Sequence, residues 1–138
     1  MKVLFVCRGN VGRSQMAQAL FEKLSGLKSF SAGTKVNFEG RKIGEIELAK
    51  SVVDSMKKHG CDVSENVVRQ LTPKMVLEFD KVIVMAEPET IPDYLKGNKK
   101  EEFWDIEDPK GKDETFHKNI ILQIKRKILE LIKNNKIT

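Results

Sequence analysis

Val3-Leu4-Phe5-Val6-Cys7-Arg8-Gly9-Asn10-Val11-Gly12-Arg13-Ser14 sets an apolar run, a polar glycine-bearing loop and a helix start end to end. Lys2–Val6 is apolar on both alternating faces, the pattern of a strand buried in a parallel sheet. Ser14–Leu24 reads as a helix, with Met16, Ala19, Leu20 and Leu24 on one face and Gly26 as its stop. A strand, a tight loop and a helix in that order open an α/β fold. In such folds ligands bind beyond the carboxyl ends of the strands, where the Cys7 loop lies.

Outward from this element, the same alternation continues. A short strand is expected over Ser29–Ala32, ending at Gly33, and a loop over Thr34–Gly44. Glu45–His59 reads as a helix because Ala49, Val52, Val53 and Met56 recur at helical spacing before Gly60. Cys61–Thr72 is irregular, and Thr72-Pro73 starts a short helix to about Phe79 by the threonine-cap, proline-first rule. Lys81–Met85 is a buried strand, Glu87–Lys100 is loop or short helix, and Glu102–Asp105 is a fourth strand. Asp113–Asn134 is a long amphipathic helix with Phe116, Ile120, Ile124, Ile128 and Leu131 on one stripe. The whole chain, 1–138, is thus expected to be one α/β domain, a parallel sheet covered on both faces.

Composition bounds the function. The chain has 138 residues, 40% hydrophobic and 33% charged, which suits a soluble globular domain and argues against disorder. No run is long enough to span a membrane, and no signal-peptide architecture precedes the first helix, so no membrane partner and a cytoplasmic location are expected. The two cysteines, Cys7 and Cys61, therefore read as free thiols rather than a disulfide scaffold. The net charge of +5 comes from basic residues interleaved with acidic ones, and aromatics are only 7%. That pattern lacks the basic–aromatic stripe of a single-strand binder, so no nucleic acid is expected. A mild positive field would instead favour anionic substrates. His59 and His117 have no metal-ligand partners nearby in sequence and read as surface or cap residues. Neither metal nor cofactor is expected, and Tyr94 and Trp104 read as packing residues.

The loop carries the chemistry. Gly9 and Gly12 allow a tight turn that points successive N–H groups inward, and Asn10 tolerates left-handed geometry while its amide braces neighbouring segments. The helix starting near Ser14 adds its positive end, and Arg13 supplies a planar fork for two oxyanion oxygens. A cysteine at a helix N-terminus beside a cation is in the setting of a nucleophile. Ser14 Oγ is placed to donate to its sulfur. Cys-x-Gly-Asn-x-x-Arg-Ser between strand and helix thus suits a tetrahedral oxyanion held against a sulfur nucleophile.

Here the chain resembles the low-molecular-weight protein tyrosine phosphatases. Ser31-Ala32-Gly33-Thr34, Val68-Arg69-Gln70-Leu71-Thr72, Lys81-Val82-Ile83-Val84-Met85 and Asp108-Pro109 are similar to further segments of that family, so the resemblance covers nearly the whole length. It implies a four-stranded parallel sheet in a flavodoxin-like three-layer arrangement. It also implies metal-free phosphoryl transfer through a phosphocysteine, with Cys7 as nucleophile, Arg13 stabilising transferred charge and Asp108 as acid, then base. Read without the family, Asp108 is one of several acids in Asp105-Ile106-Glu107-Asp108-Pro109. Substrate contacts are expected from Arg8, Gly9, Asn10, Val11, Gly12 and Ser14, and from Phe38 as an aromatic wall. The resemblance implies that a branched apolar residue at Val11 goes with aryl phosphate, whereas threonine there goes with phosphoarginine, so phosphotyrosine is expected on a phosphorylated protein or small aryl phosphate. Inorganic phosphate or another tetrahedral oxyanion would occupy the loop of a monomer.

The chain departs from the pattern in two places. Gly12 stands where the family often has a second loop cysteine, and Lys110-Gly111-Lys112-Asp113 stands where tyrosines often follow the acid-loop proline. Cys61 reads as a packed structural thiol. The rival reading is arsenate reductase, which shares this loop and resembles Arg13-Ser14-Gln15-Met16-Ala17. Its thioredoxin-coupled form needs two further cysteines near Val84–Pro88, and neither is present. A protein-arginine phosphatase or a phosphocarrier lies further off.

Overall fold

A computed structural model describes residues 1–137. Strands β1 (Val3–Cys7), β2 (Phe30–Gly33), β3 (Lys81–Val84) and β4 (Glu101–Phe103) form one parallel sheet in the order β2-β1-β3-β4. The helices are α1 (Arg13–Ser25), α2 (Lys50–Lys58), α3 (Pro73–Glu78) and α4 (Glu114–Asn134). The expected α/β class and four parallel strands are therefore present.

β1 is buried at every position, and its alternation divides the core in two. Val3, Phe5 and Cys7 join the cluster built with α1, α2 and α4, whereas Leu4 and Val6 join the cluster with Val76 and Phe79 on the α3 side. Cys7 consequently ends the central strand on the face covered by α1. Trp104 packs as expected, its ring 6.1 Å from that of Phe5. Tyr94 does not: it is exposed, with only its hydroxyl reaching the Leu71 carbonyl at 3.4 Å.

The helix caps follow the sequence chemistry. Thr72 accepts from the Met75 N–H at 3.3 Å, and Asp113 accepts from the Phe116 N–H at 2.9 Å. The segment before α2 departs from expectation. Two 3₁₀ turns, Ile43–Glu45 and Glu47–Ala49, replace the first turns of the predicted helix. Ile46 is extended between them, and Ile43, Ile46 and Ala49 are all buried. Their spacing of three residues matches a 3₁₀ period better than 3.6, so burying this row favours the tighter turns. Among the described residues, no helix is long and apolar enough to cross a membrane.

Candidate active site

The loop after β1 is braced from both sides. Asn10 is left-handed (φ 58°), as its short amide side chain permits, whereas Gly9 and Gly12 are not. Asn10 therefore takes the left-handed position, as expected, and Gly12 has an unusual backbone of its own (φ −125°, ψ −96°). β2 presses on the loop at Gly33, where an added Cβ would lie 2.6 Å from the Arg8 carbonyl oxygen. The Thr34 and Lys35 N–H groups then donate to the Cys7 and Arg8 carbonyls, each at 2.9 Å. The N–H groups of Gly9, Val11 and Gly12 donate to no protein acceptor among the described residues, which leaves them available to an anion.

Ser14 Oγ lies 3.0 Å from Cys7 Sγ. Its proton is directed by the next link. The Arg69 N–H donates to Asn10 Oδ1 at 2.8 Å, which turns Asn10 Nδ2 toward Ser14, where it donates to Oγ at 2.8 Å. With that acceptor site taken, the Ser14 hydroxyl has its own hydrogen to give the sulfur. Gln15 Nε2 adds a bond to the Asn10 carbonyl at 3.2 Å. Asn10 and Ser14 are wholly buried, so this polar network is fixed by packing as well as by bonding.

Arg13 is 3% exposed, an uncommon place for a guanidinium. Nη1 donates to the Met85 carbonyl (2.6 Å), the Ile106 carbonyl (3.0 Å) and Glu87 Oε2 (3.0 Å), while Nη2 reaches Glu87 Oε1 at 3.2 Å. Asp108 Oδ2 stands 3.9 Å from Nη2. One edge of the fork is thus anchored on protein, which leaves the Nε–H and the second Nη2 hydrogen to face an anion. Burial pulls the Arg13 pKa down, but the Glu87 bond and the charges of Cys7, Asp108 and Glu87 outweigh it and hold it above its ordinary value. For Glu87, burial pushes the carboxyl up, yet the Arg13 bond and charge prevail and hold it below the ordinary carboxylate value.

Glu87 was not foreseen. The available signal was its place directly after β3, at the sheet edge where sites form, together with the need of a buried Arg13 for an anion. Because the folded Glu87 pKa is depressed, its contribution to stability is present above the unfolded value and lost as pH falls through the folded value. Glu87→Gln should therefore lower stability by about 1–2 kcal/mol at pH 7, the modest size expected of a part-exposed partner of a buried charge. Chemical denaturation at pH 7 and again in acid checks this: the difference from the parent should shrink below the ordinary carboxylate range.

A cavity of about 390 Å³ opens over the loop and joins the remaining residues. Cys7, Arg13 and Asp108 line it, with Val11, Phe38, Leu48 and Val52 as an apolar wall and Arg8, Lys35 and Lys110 among its polar lining. Phe38 thus stands where an aromatic wall was expected. The Asp108 side chain is 45% exposed, and its Oδ1 accepts from the Lys110 N–H at 3.0 Å.

Against known proteins, the model of the family described as low molecular weight phosphotyrosine protein phosphatase matches residues 2–137. The chain belongs to that family. A probable low molecular weight protein-tyrosine-phosphatase of Ralstonia solanacearum, EpsP, is 31% identical over 135 residues, covering 90% of this chain and 88% of its own. The crystal structure of the low molecular weight protein tyrosine phosphatase from T. tengcongensis superposes with a TM-score of 0.80 at 28% identity, over 97% of this chain and 99% of that one. A thioredoxin-dependent arsenate reductase of Corynebacterium glutamicum shares 30% identity with a TM-score of 0.72, over 96% of this chain and 60% of that one.

Within this phosphatase-family site, two further sequence expectations resolve differently. His59 closes α2 as a cap residue, as expected. His117 is neither a cap nor a surface residue: it is 1% exposed and lines the cavity, with Nδ1 on the Asp113 carbonyl (2.9 Å) and Nε2 3.3 Å from Ser51 Oγ. Cys61 is a free, buried thiol, as expected, and does not line the cavity. Burial pushes its pKa up, with Lys23 pulling part of the way back.

Proposed function

We propose that residues 1–138 act as one catalytic domain that hydrolyses aryl phosphate monoesters, phosphotyrosine among them, through a phosphocysteine. One observation carries the reading: Cys7, bonded to Ser14, shares a single cavity with Arg13, Asp108 and the apolar wall of Phe38 and Val11. The phosphoryl group would sit on the loop N–H groups, with Arg13 balancing its charge. Cys7 attacks phosphorus as the thiolate, and the P–O bond to the aryl group breaks while Asp108 gives its proton to the departing oxygen. Water then attacks phosphorus, Asp108 takes its proton, and the P–S bond breaks to release phosphate. The Ser14 hydrogen stabilises the sulfur as it leaves. Two free cysteines suit a reducing compartment, and we place the activity in the cytoplasm.

Purified protein should hydrolyse p-nitrophenyl phosphate with no added metal, and vanadate should block it by occupying the loop. Arsenate supplied with thioredoxin should yield no arsenite, since the second thiol, Cys61, lies outside the cavity. Arsenite release, or silence toward p-nitrophenyl phosphate, would overturn the assignment.

A further inference from the structure

We propose that the cavity selects aryl phosphates carried on a peptide with carboxylates beside the phosphate, read by three cations: Arg8, Lys35 and Lys110. The inference deepens the phosphatase reading and rests on it for the phosphoryl site itself. All three side chains are exposed and all three line the cavity. None forms an ion pair among the described residues, although Lys42, Lys58, Lys74 and Lys81 elsewhere on the surface each have a glutamate partner.

Their places are fixed by the same bonds that build the site. The Lys35 N–H on the Arg8 carbonyl joins the loop after β2 to the loop after β1. The Lys110 N–H on Asp108 Oδ1 sets Lys110 one turn beyond that carboxylate. Local acids do not cancel this charge. Among the described residues Asp108 is the one acid lining the cavity, and Glu87, which feels Arg8, is already bound bidentately by Arg13. A substrate carboxylate within reach therefore meets uncompensated positive charge. Two flexible ammonium groups and one planar guanidinium on three separate loops suit carboxylates spaced along a peptide. The apolar wall of Val11, Phe38, Leu48 and Val52 takes the aryl ring and leaves the flanks to the rim.

Binding to the Cys7→Ser variant tests the inference independently of turnover. Two phosphotyrosine peptides of equal length are compared, one with Asp and Glu on both sides and one with Asn and Gln in their place. Exposed ion pairs give modest individual gains, so three should favour the acidic peptide by roughly tenfold in Kd at low salt. Screening should shrink the preference to about twofold near 0.5 M salt. Adding Arg8→Gln, Lys35→Gln and Lys110→Gln to Cys7→Ser should reduce it to within about twofold at low salt as well. Equal Kd values for the two peptides, or a preference that survives the three added substitutions, would overturn the inference. Turnover of p-nitrophenyl phosphate by the parent, a substrate without flanks, reports separately on the phosphatase reading.

Discussion

Cys7→Ser is expected to lower kcat for p-nitrophenyl phosphate by about ten-thousand-fold or more, the scale seen when a covalent nucleophile is removed. The serine oxygen can keep the contact with Ser14 Oγ, now 3.0 Å from Sγ, so the Asn10–Ser14 network and the loop should survive. The hydroxyl, with its much higher pKa, is a far weaker nucleophile, and Asp108, the proton donor of this step, is not free to act as its base. Steady-state turnover together with thermal melting decides the matter. Activity within tenfold of the parent, in a protein that melts normally, would remove Cys7 from the chemistry. Retained phosphate binding alongside lost turnover would separate the nucleophile from the anion loop.

Asp108→Ala is expected to slow hydrolysis of phosphotyrosine by about a hundred- to ten-thousand-fold, the usual range for a positioned acid–base. The effect should be smaller for p-nitrophenyl phosphate, whose leaving group needs less help from a proton. Asp108 is half in solvent, tethered by the Lys110 N–H, and only 3.9 Å from Arg13 Nη2, so its loss removes little packing. Rapid-quench trapping should still find phosphocysteine, formed more slowly because the aryl oxygen must leave without a proton from Asp108 and hydrolysed more slowly because water lacks its base. Equal rates for the variant and the parent on phosphotyrosine would reassign the acid. The pH profile gives a second readout, since the limb that reports the acid should disappear.

How much was legible depended on how far apart the interacting residues lie in the chain. The left-handed turn at Asn10, the Cys7–Ser14 contact and the helix start at Arg13 all fall within eight residues, where loop chemistry alone restricts the backbone. The caps at Thr72 and Asp113 were legible for the same reason. Glu45–Ala49 was misread as the first turns of a helix because Ile46 and Ala49, three apart, satisfy both a helix and a 3₁₀ row, and only packing against the core distinguishes them. His117 was hidden by its polarity. It lies on the α4 face that also buries Ile121, Ile124 and Ile128, so periodicity placed it inward while residue type suggested the surface.

The chain alone determined the order of strands and helices, the loop between β1 and α1, and the pairing of sulfur with hydroxyl in it, because each rests on near neighbours and on hydrophobic periodicity. Only the tertiary structure decided which acids meet Arg13. Glu87 is 74 positions from it and Asp108 is one of three acids in a four-residue run, and neither is marked out by local sequence. The parallel sheet brings the ends of β1, β3 and β4 to one edge, so the loops that follow them converge on the same buried guanidinium. A buried cation must find its anion and its carbonyls among whatever the fold delivers there, and that is a property of three dimensions.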